Sequence, residues 1–292
     1  MTAHSRVSRR QLEFYKFALT DDGKWSLVVL KFYAGLFSIE EPDIMKKSNT
    51  GWRESKNPAL KFAFFKNLKQ TEIDRIESFV TNYSDWVILD VNEHIKDEFD
   101  KELDFCVALG RPAETPQELN NKNRSKIGEL VYLAKYKRQI DKADELAVLL
   151  GSAINRIIKG KIDGRFSISF VPNDNYEEFY LPKYLAEKLV SLKTITHNLD
   201  DATPFIQARI DTKINKLKNI SLKAKLHFCK ELYTPNKVTL ATFVSNRNIV
   251  VIDDLYQSGT TLWSYARYLK NMGAIKVIGL VCEKNFRDSD NL

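Results

Sequence analysis

Residues 248–253 read Asn-Ile-Val-Val-Ile-Asp, and residues 276–282 read Lys-Val-Ile-Gly-Leu-Val-Cys. Runs this apolar and β-branched are strands buried on both faces. Between them, Thr-Thr-Leu-Trp-Ser-Tyr-Ala-Arg-Tyr-Leu-Lys-Asn-Met-Gly (260–273) has helical periodicity, with Gly273 as its stop. A strand–helix–strand unit leaves the chain few choices. Its two strands must lie parallel, its crossover must be right-handed, and helices must cover the sheet. An α/β fold with a Rossmann-like parallel sheet is therefore expected.

The same alternation extends upstream. Leu146, Leu150, Ala153, Ile154 and Ile157 form one face of a helix over 141–159, residues 166–171 suit a short strand ending at Pro172, and 182–192 suits a helix. Residues 110–125 hold two prolines and no periodicity, which predicts a loop or linker. The first hundred residues differ in being rich in aromatics. Segment 25–37 suits a strand or a buried helix, and 70–82 suits a helix with Thr71 as N-cap. The expected organisation is an additional N-terminal domain of unknown type over 1–110, followed by the α/β domain over 111–292.

Composition removes several classes. The 292 residues are 43 % hydrophobic and 11 % aromatic with mixed charge, which excludes intrinsic disorder. The most apolar stretch, 25–37, is interrupted by Lys31 and is too short to span a bilayer, so no membrane partner is expected. The N-terminus has no apolar core of a secretory signal. Cys106, Cys229 and Cys282 are far apart, and His4, His94, His197 and His227 are scattered, so no zinc ribbon or disulfide framework is expected and no metal ligands are assigned. A reducing, cytoplasmic setting is the default.

Chemistry concentrates between the two C-terminal strands, in Val-Val-Ile-Asp253-Asp254-Leu-Tyr-Gln257-Ser258-Gly259-Thr260-Thr261. The strand carries Asp253 and Asp254 to its carboxyl end, where open α/β sheets bind ligands. The small turn Gln257–Thr261 opens a helix, where unpaired N–H groups and the helix dipole favour a phosphate. Gly259 permits positive φ or a close approach, and the hydroxyls add donors. Two acids before a phosphate cradle suit a sugar phosphate, with the carboxylates accepting from ribose hydroxyls. The run is neither a Walker A loop nor a dinucleotide G-x-G-x-x-G.

This run resembles the PRPP-binding signature of type I phosphoribosyltransferases, four apolar residues followed by D-D-x-x-x-T-G-x-T, with Ser258 in place of one threonine and Gln257 in place of another. The wider chain resembles the ComF-like group of that family. It shows Leu130-Val-Tyr-Leu-Ala-Lys135-Tyr136, then Val171-Pro172, Leu185-Ala186-Glu187-Lys188-Leu189, Thr203 with Gln207, and Gly273-Ala274 with Val277. The resemblance spans about 125–292 and implies a type I phosphoribosyltransferase fold. It also implies PRPP, or a related ribose phosphate, bound with magnesium, with Asp253 and Asp254 as catalytic residues and Gln257–Thr261 binding the phosphate. The implied reaction is displacement at ribose C1 by a nitrogen nucleophile.

Two stretches depart from that pattern. Residues 173–178 carry Asp174, Glu177 and Glu178 where family members usually place basic residues and glycine, and Asp200 stands where an arginine is common. A second function class follows: a regulatory or antiviral-defence effector, of the retron-associated kind, with a degenerate PRPP fold that binds a nucleotide and a nucleic-acid or protein partner. The net charge of +7 gathers partly in 209–230, with Arg209, Lys213, Lys216, Lys218, Lys223, Lys225 and Lys230. That segment reads either as a solvated helix face or as a phosphate-closing or nucleic-acid-binding segment. The N-terminal aromatics interleave with Arg6, Arg9, Arg10, Lys61, Lys66 and Lys69, and read as core or as a base-stacking surface. Phe62, Phe64 and Phe65 cluster tightly enough for an interface with a partner or a second copy, giving a homo-oligomer.

Overall fold

The computed structural model describes residues 4–8, 11–89, 98–99, 101–158, 164–172, 179–192, 195, 199–205, 221, 224, 226–227, 233 and 237–286. The chain forms two compact units, Met1–Ile88 with Arg156–Lys161, and Leu89–Asn155 with Ile162–Leu292.

The first unit is built on an antiparallel sheet. Strands β1 (His4–Ser8), β2 (Gln11–Leu19), β3 (Trp25–Leu30), β4 (Arg53–Glu54) and β5 (Leu60–Phe65) lie in the order β1-β2-β3-β5-β4. Its helices are α1 (Lys31–Glu40), α2 (Pro42–Met45) and α3 (Gln70–Tyr83). Segment 25–37 proves to be strand and helix in succession. Trp25–Leu30 pairs on both sides, and Lys31 opens α1 with its N–H on the Ala59 carbonyl at 2.9 Å. Helix α3 starts at Gln70, and its cap lies two residues ahead of the expected Thr71. The Glu72 carboxylate accepts the Lys69 N–H at 2.9 Å, so Lys69 holds the capping position and Thr71 sits inside the first turn.

Most of the aromatic residues here are core. Tyr33, Phe37, Phe65, Phe79 and Tyr83 are buried, with Phe37 and Phe79 edge to face at 5.1 Å between centroids. The sheet alternates until Leu30, which is buried at the end of β3. Leu27, Val29, Ala63 and Phe65 are buried towards the helices, whereas Ser26, Val28, Phe62 and Phe64 point to the other face and keep part of their surface.

The second unit is α/β. Its strands are β6 (Val87–Leu89, at which the chain divides), β7 (Phe105–Gly110), β8 (Phe166–Phe170), β9 (Leu199–Asp201), β10 (Asn248–Tyr256) and β11 (Lys276–Lys284). They form one sheet in the order β6-β7-β11-β10-β8-β9, and β7-β11, β11-β10, β10-β8 and β8-β9 are parallel pairs. Helices α4 (Pro116–Asn120), α5 (Lys126–Tyr136), α6 (Ile140–Ile158), α7 (Leu181–Ser191), α8 (Lys237–Val244) and α9 (Thr260–Asn271) accompany them. The division falls at Ile88, whereas residue 110 ends β7, which is hydrogen-bonded to β11 inside the sheet. The 110–125 segment contains α4, capped by Thr115, whose Oγ1 accepts the Glu118 N–H at 3.2 Å.

The C-terminal strand–helix–strand unit is parallel from Asn248 opposite Lys276 to Tyr256 opposite Lys284. Gly273 takes φ +92° and closes α9. Asp104 secures the crossover, accepting from the Val277 N–H and the Lys270 ammonium at 2.8 Å each. No helix among the described residues is long and apolar enough to cross a membrane.

Helix α5 is seated against backbone. The Ser125 hydroxyl donates to the Arg111 carbonyl and accepts the Gly128 N–H at 3.0 Å, and a methyl group on Gly128 would overlap the Pro112 carbonyl. Helix propensity alone favours alanine over glycine by about 1 kcal/mol. The rigid neighbour reverses the sign, and Gly128→Ala is expected to destabilise by about 2 kcal/mol, read as a lower urea midpoint.

Candidate functional site

Strand β10 runs straight through the two acids. Asp253 pairs in register with Val281, and Leu255 with Glu283, so both carboxylates leave the backbone inside the ladder. Asp254 is 6 % exposed, whereas Asp253 is half-buried. The Asp254 N–H donates to Asp253 Oδ1 at 2.9 Å, which fixes the first carboxylate against its own strand. Burial, and then the Asp254 charge, push the Asp253 carboxyl well above the ordinary carboxylate range, against the pull of nearby N–H groups and Lys135.

Lys135 answers that charge. Helix α5 brings its ammonium to 2.6 Å from Asp254 Oδ2. Desolvation works against the charged lysine, but the Asp254 carboxylate outweighs it, and the net effect raises the Lys135 pKa. Nothing within β10 signals this partner, which lies more than a hundred residues upstream.

Strand β11 contributes two further groups that sequence reasoning missed. Glu283 is half-buried, and burial followed by the Asp254 charge push its carboxyl up to about 8, with Lys135 and Arg124 opposing. A carboxyl of that affinity exchanges its proton near neutral pH, as a general acid or base requires. Lys284 is 1 % exposed, and its ammonium donates to the Asn285 carbonyl at 2.7 Å and the Gln257 carbonyl at 3.3 Å. The available signal was the abrupt Glu283-Lys284 ending an apolar strand, at the carboxyl end where parallel sheets place ligands.

The turn 257–261 is held from below. Gly259 adopts φ +81° as the residue before α9, and a methyl group there would overlap the Tyr256 ring. That ring is fixed by the Trp263 indole N–H, which donates to Tyr256 Oη at 3.0 Å. Ser258 and Thr260 are both buried, their hydroxyl oxygens 3.0 Å apart. Their hydroxyls therefore bond one another, while Gln257 and Thr261 keep part of their surface. The Thr260 N–H donates to Ser258 Oγ at 3.5 Å, and the next N–H groups of the first turn of α9 have no partner within the helix, the arrangement that suits an anion.

Asp200 forms an ion pair with Arg247, so its charge is used across the β8–β9 edge. Val171-Pro172 follows β8 as expected. The acidic residues Asp174, Glu177 and Glu178, together with Gln207 and the arginine and lysines of 209–230, lie outside the described residues. Cys106 and Cys282 are buried core thiols.

The carboxylates are hard oxygen donors of the kind magnesium takes. Yet among the described residues no group of three or more His, Cys, Asp or Glu is arranged to hold a metal ion. The donor set fits magnesium only as an ion carried in by ligand phosphates. No model of a known protein family and no curated protein matches the chain.

Because Glu283 binds its proton more tightly folded than unfolded, its contribution favours the fold below about pH 4.5 and is lost as pH rises towards 8. Glu283→Gln is therefore expected to gain stability relative to the native chain from pH 5 to 8.5, followed as the difference in thermal midpoints. A difference independent of pH contradicts the assignment.

Proposed function

We propose that the second unit binds a 5-phosphorylated ribose, with PRPP as substrate, in a type I phosphoribosyltransferase fold of the ComF-like group, and acts at ribose C1. The observation that carries this reading is the continuity of β10, Gly259 and α9. One strand delivers two carboxylates, and a left-handed glycine five residues later opens a helix N-terminus at the same sheet end. A ribose ring spans these two features, hydroxyls towards the acids and 5-phosphate over the turn. Parallel strands in the second unit support the same fold.

In this reading the bond between C1 and the pyrophosphate oxygen breaks as a bond to a nitrogen nucleophile forms, pyrophosphate leaves with the bonding pair, and the nucleophile's proton passes to it or to water. Asp253 accepts from a ribose hydroxyl and Lys135 holds Asp254 in place, so the acids position the ring for displacement. Magnesium, when bound, screens the charge of the leaving pyrophosphate. A second reading, a nucleotide-sensing effector without turnover, draws support from Lys135, whose ammonium already neutralises Asp254.

Calorimetric titration with PRPP and magnesium tests the proposal. Saturable binding is expected, falling at least tenfold in Asp254→Asn with the fold retained by circular dichroism. Pyrophosphate release that needs PRPP and the native Asp254 identifies the enzyme, and binding without release identifies the effector. No binding of PRPP overturns the first reading, and no binding of a nucleotide in the same titration overturns the second.

A further inference from the structure

We propose that the open face of the first unit's antiparallel sheet binds single-stranded nucleic acid. The face is the side turned away from that unit's own helices. Lys16 on β2, Val28 on β3, Phe62 on β5 and Arg53 on β4 are consecutive register partners, so they form one row across four strands. At about 4.8 Å per strand, the row sets a cation at each end roughly 14 Å apart, with an aromatic ring between them. Phe64 stands two residues further along β5 on the same face, its ring edge to face with Phe62 at 5.5 Å. Both rings keep part of their surface, and Lys16 and Arg53 are exposed.

Charge selects the partner. The charged side chains described on this face are the two cations, while Glu54 lies on the other face, paired with Lys61. Residues 1–69 carry 13 Lys and Arg against 7 Asp and Glu, whereas 70–88, which includes α3, carries 1 against 4. The acids Glu41 and Asp43 sit on the helix side, both bonded to Arg75. Aromatic rings flanked by cations on a sheet offer stacking to bases and ion pairing to phosphates, which an apolar protein surface would not use.

The test is fluorescence anisotropy of the full chain with labelled single-stranded DNA and RNA 20-mers over a range of salt. Saturable binding that weakens with salt is expected. Phe62→Leu with Phe64→Leu, which keeps apolar bulk but removes the rings, should weaken it about tenfold or more. Lys16→Gln with Arg53→Gln should make the slope of log affinity against log salt shallower by about 1.4. Thermal midpoints of both variants establish that they are folded. The proposal is overturned if the chain fails to bind single strands, if both folded variants bind like the native chain, or if the phenylalanine variant instead converts a dimer to a monomer in light scattering.

Discussion

Two adjacent carboxylates inside a β-ladder are an unstable arrangement unless a cation reaches them, and Lys135 is that cation. Removing a carboxylate from water costs several kcal/mol, and a second one beside it adds repulsion. The 2.6 Å contact between Lys135 and Asp254 offsets this while leaving Asp253 half-exposed. Much of the surrounding architecture serves that contact. Helix α5 must approach closely enough for its lysine to arrive, which is why Gly128 lies against the Pro112 backbone and Ser125 ties the helix start to Arg111 and Gly128. The site is thus held by a helix and a strand that are distant in sequence.

The turn 257–261 shows the same economy. Gly259 supplies the left-handed backbone, Tyr256 fills the space beneath it, and Trp263 fixes Tyr256 from one turn into α9. Lys284 reaches the Gln257 carbonyl from the neighbouring strand. The residues that shape the turn are consequently not those that would face a ligand. Ser258 and Thr260 bond each other, Ser258 Oγ also accepts the Thr260 N–H, and an anion would meet the later main-chain N–H groups of the first turn.

What was legible in the sequence follows from the range of each interaction. The C-terminal strand–helix–strand unit was readable because apolar runs, helical period and Gly273 are local signals. Segment 25–37 was ambiguous because strand and helix meet at Leu30 without a breaker, so one apolar run serves both. Thr71 lost the capping position to Lys69 because the Glu72 carboxylate reaches back to the Lys69 N–H. Asp253, Asp254 and Gly259 were legible as a motif, but Lys135 and Glu283 were not, since only the parallel sheet and α5 bring them to Asp254. The open face needed register as well. Phe62 and Phe65 read alike as a cluster, and only pairing with β3 sends one to the core and the other outward.

On the proposed reading, the β10 acids and the α9 N-terminus form one ribose-phosphate site. Its most direct test is the amide NMR spectrum of the isotopically labelled chain titrated with ribose 5-phosphate. Saturating shifts are expected at Gly259, Thr260 and Thr261 together with Asp253 and Asp254. Shifts confined to other parts of the chain, or none at saturating ligand, would contradict it.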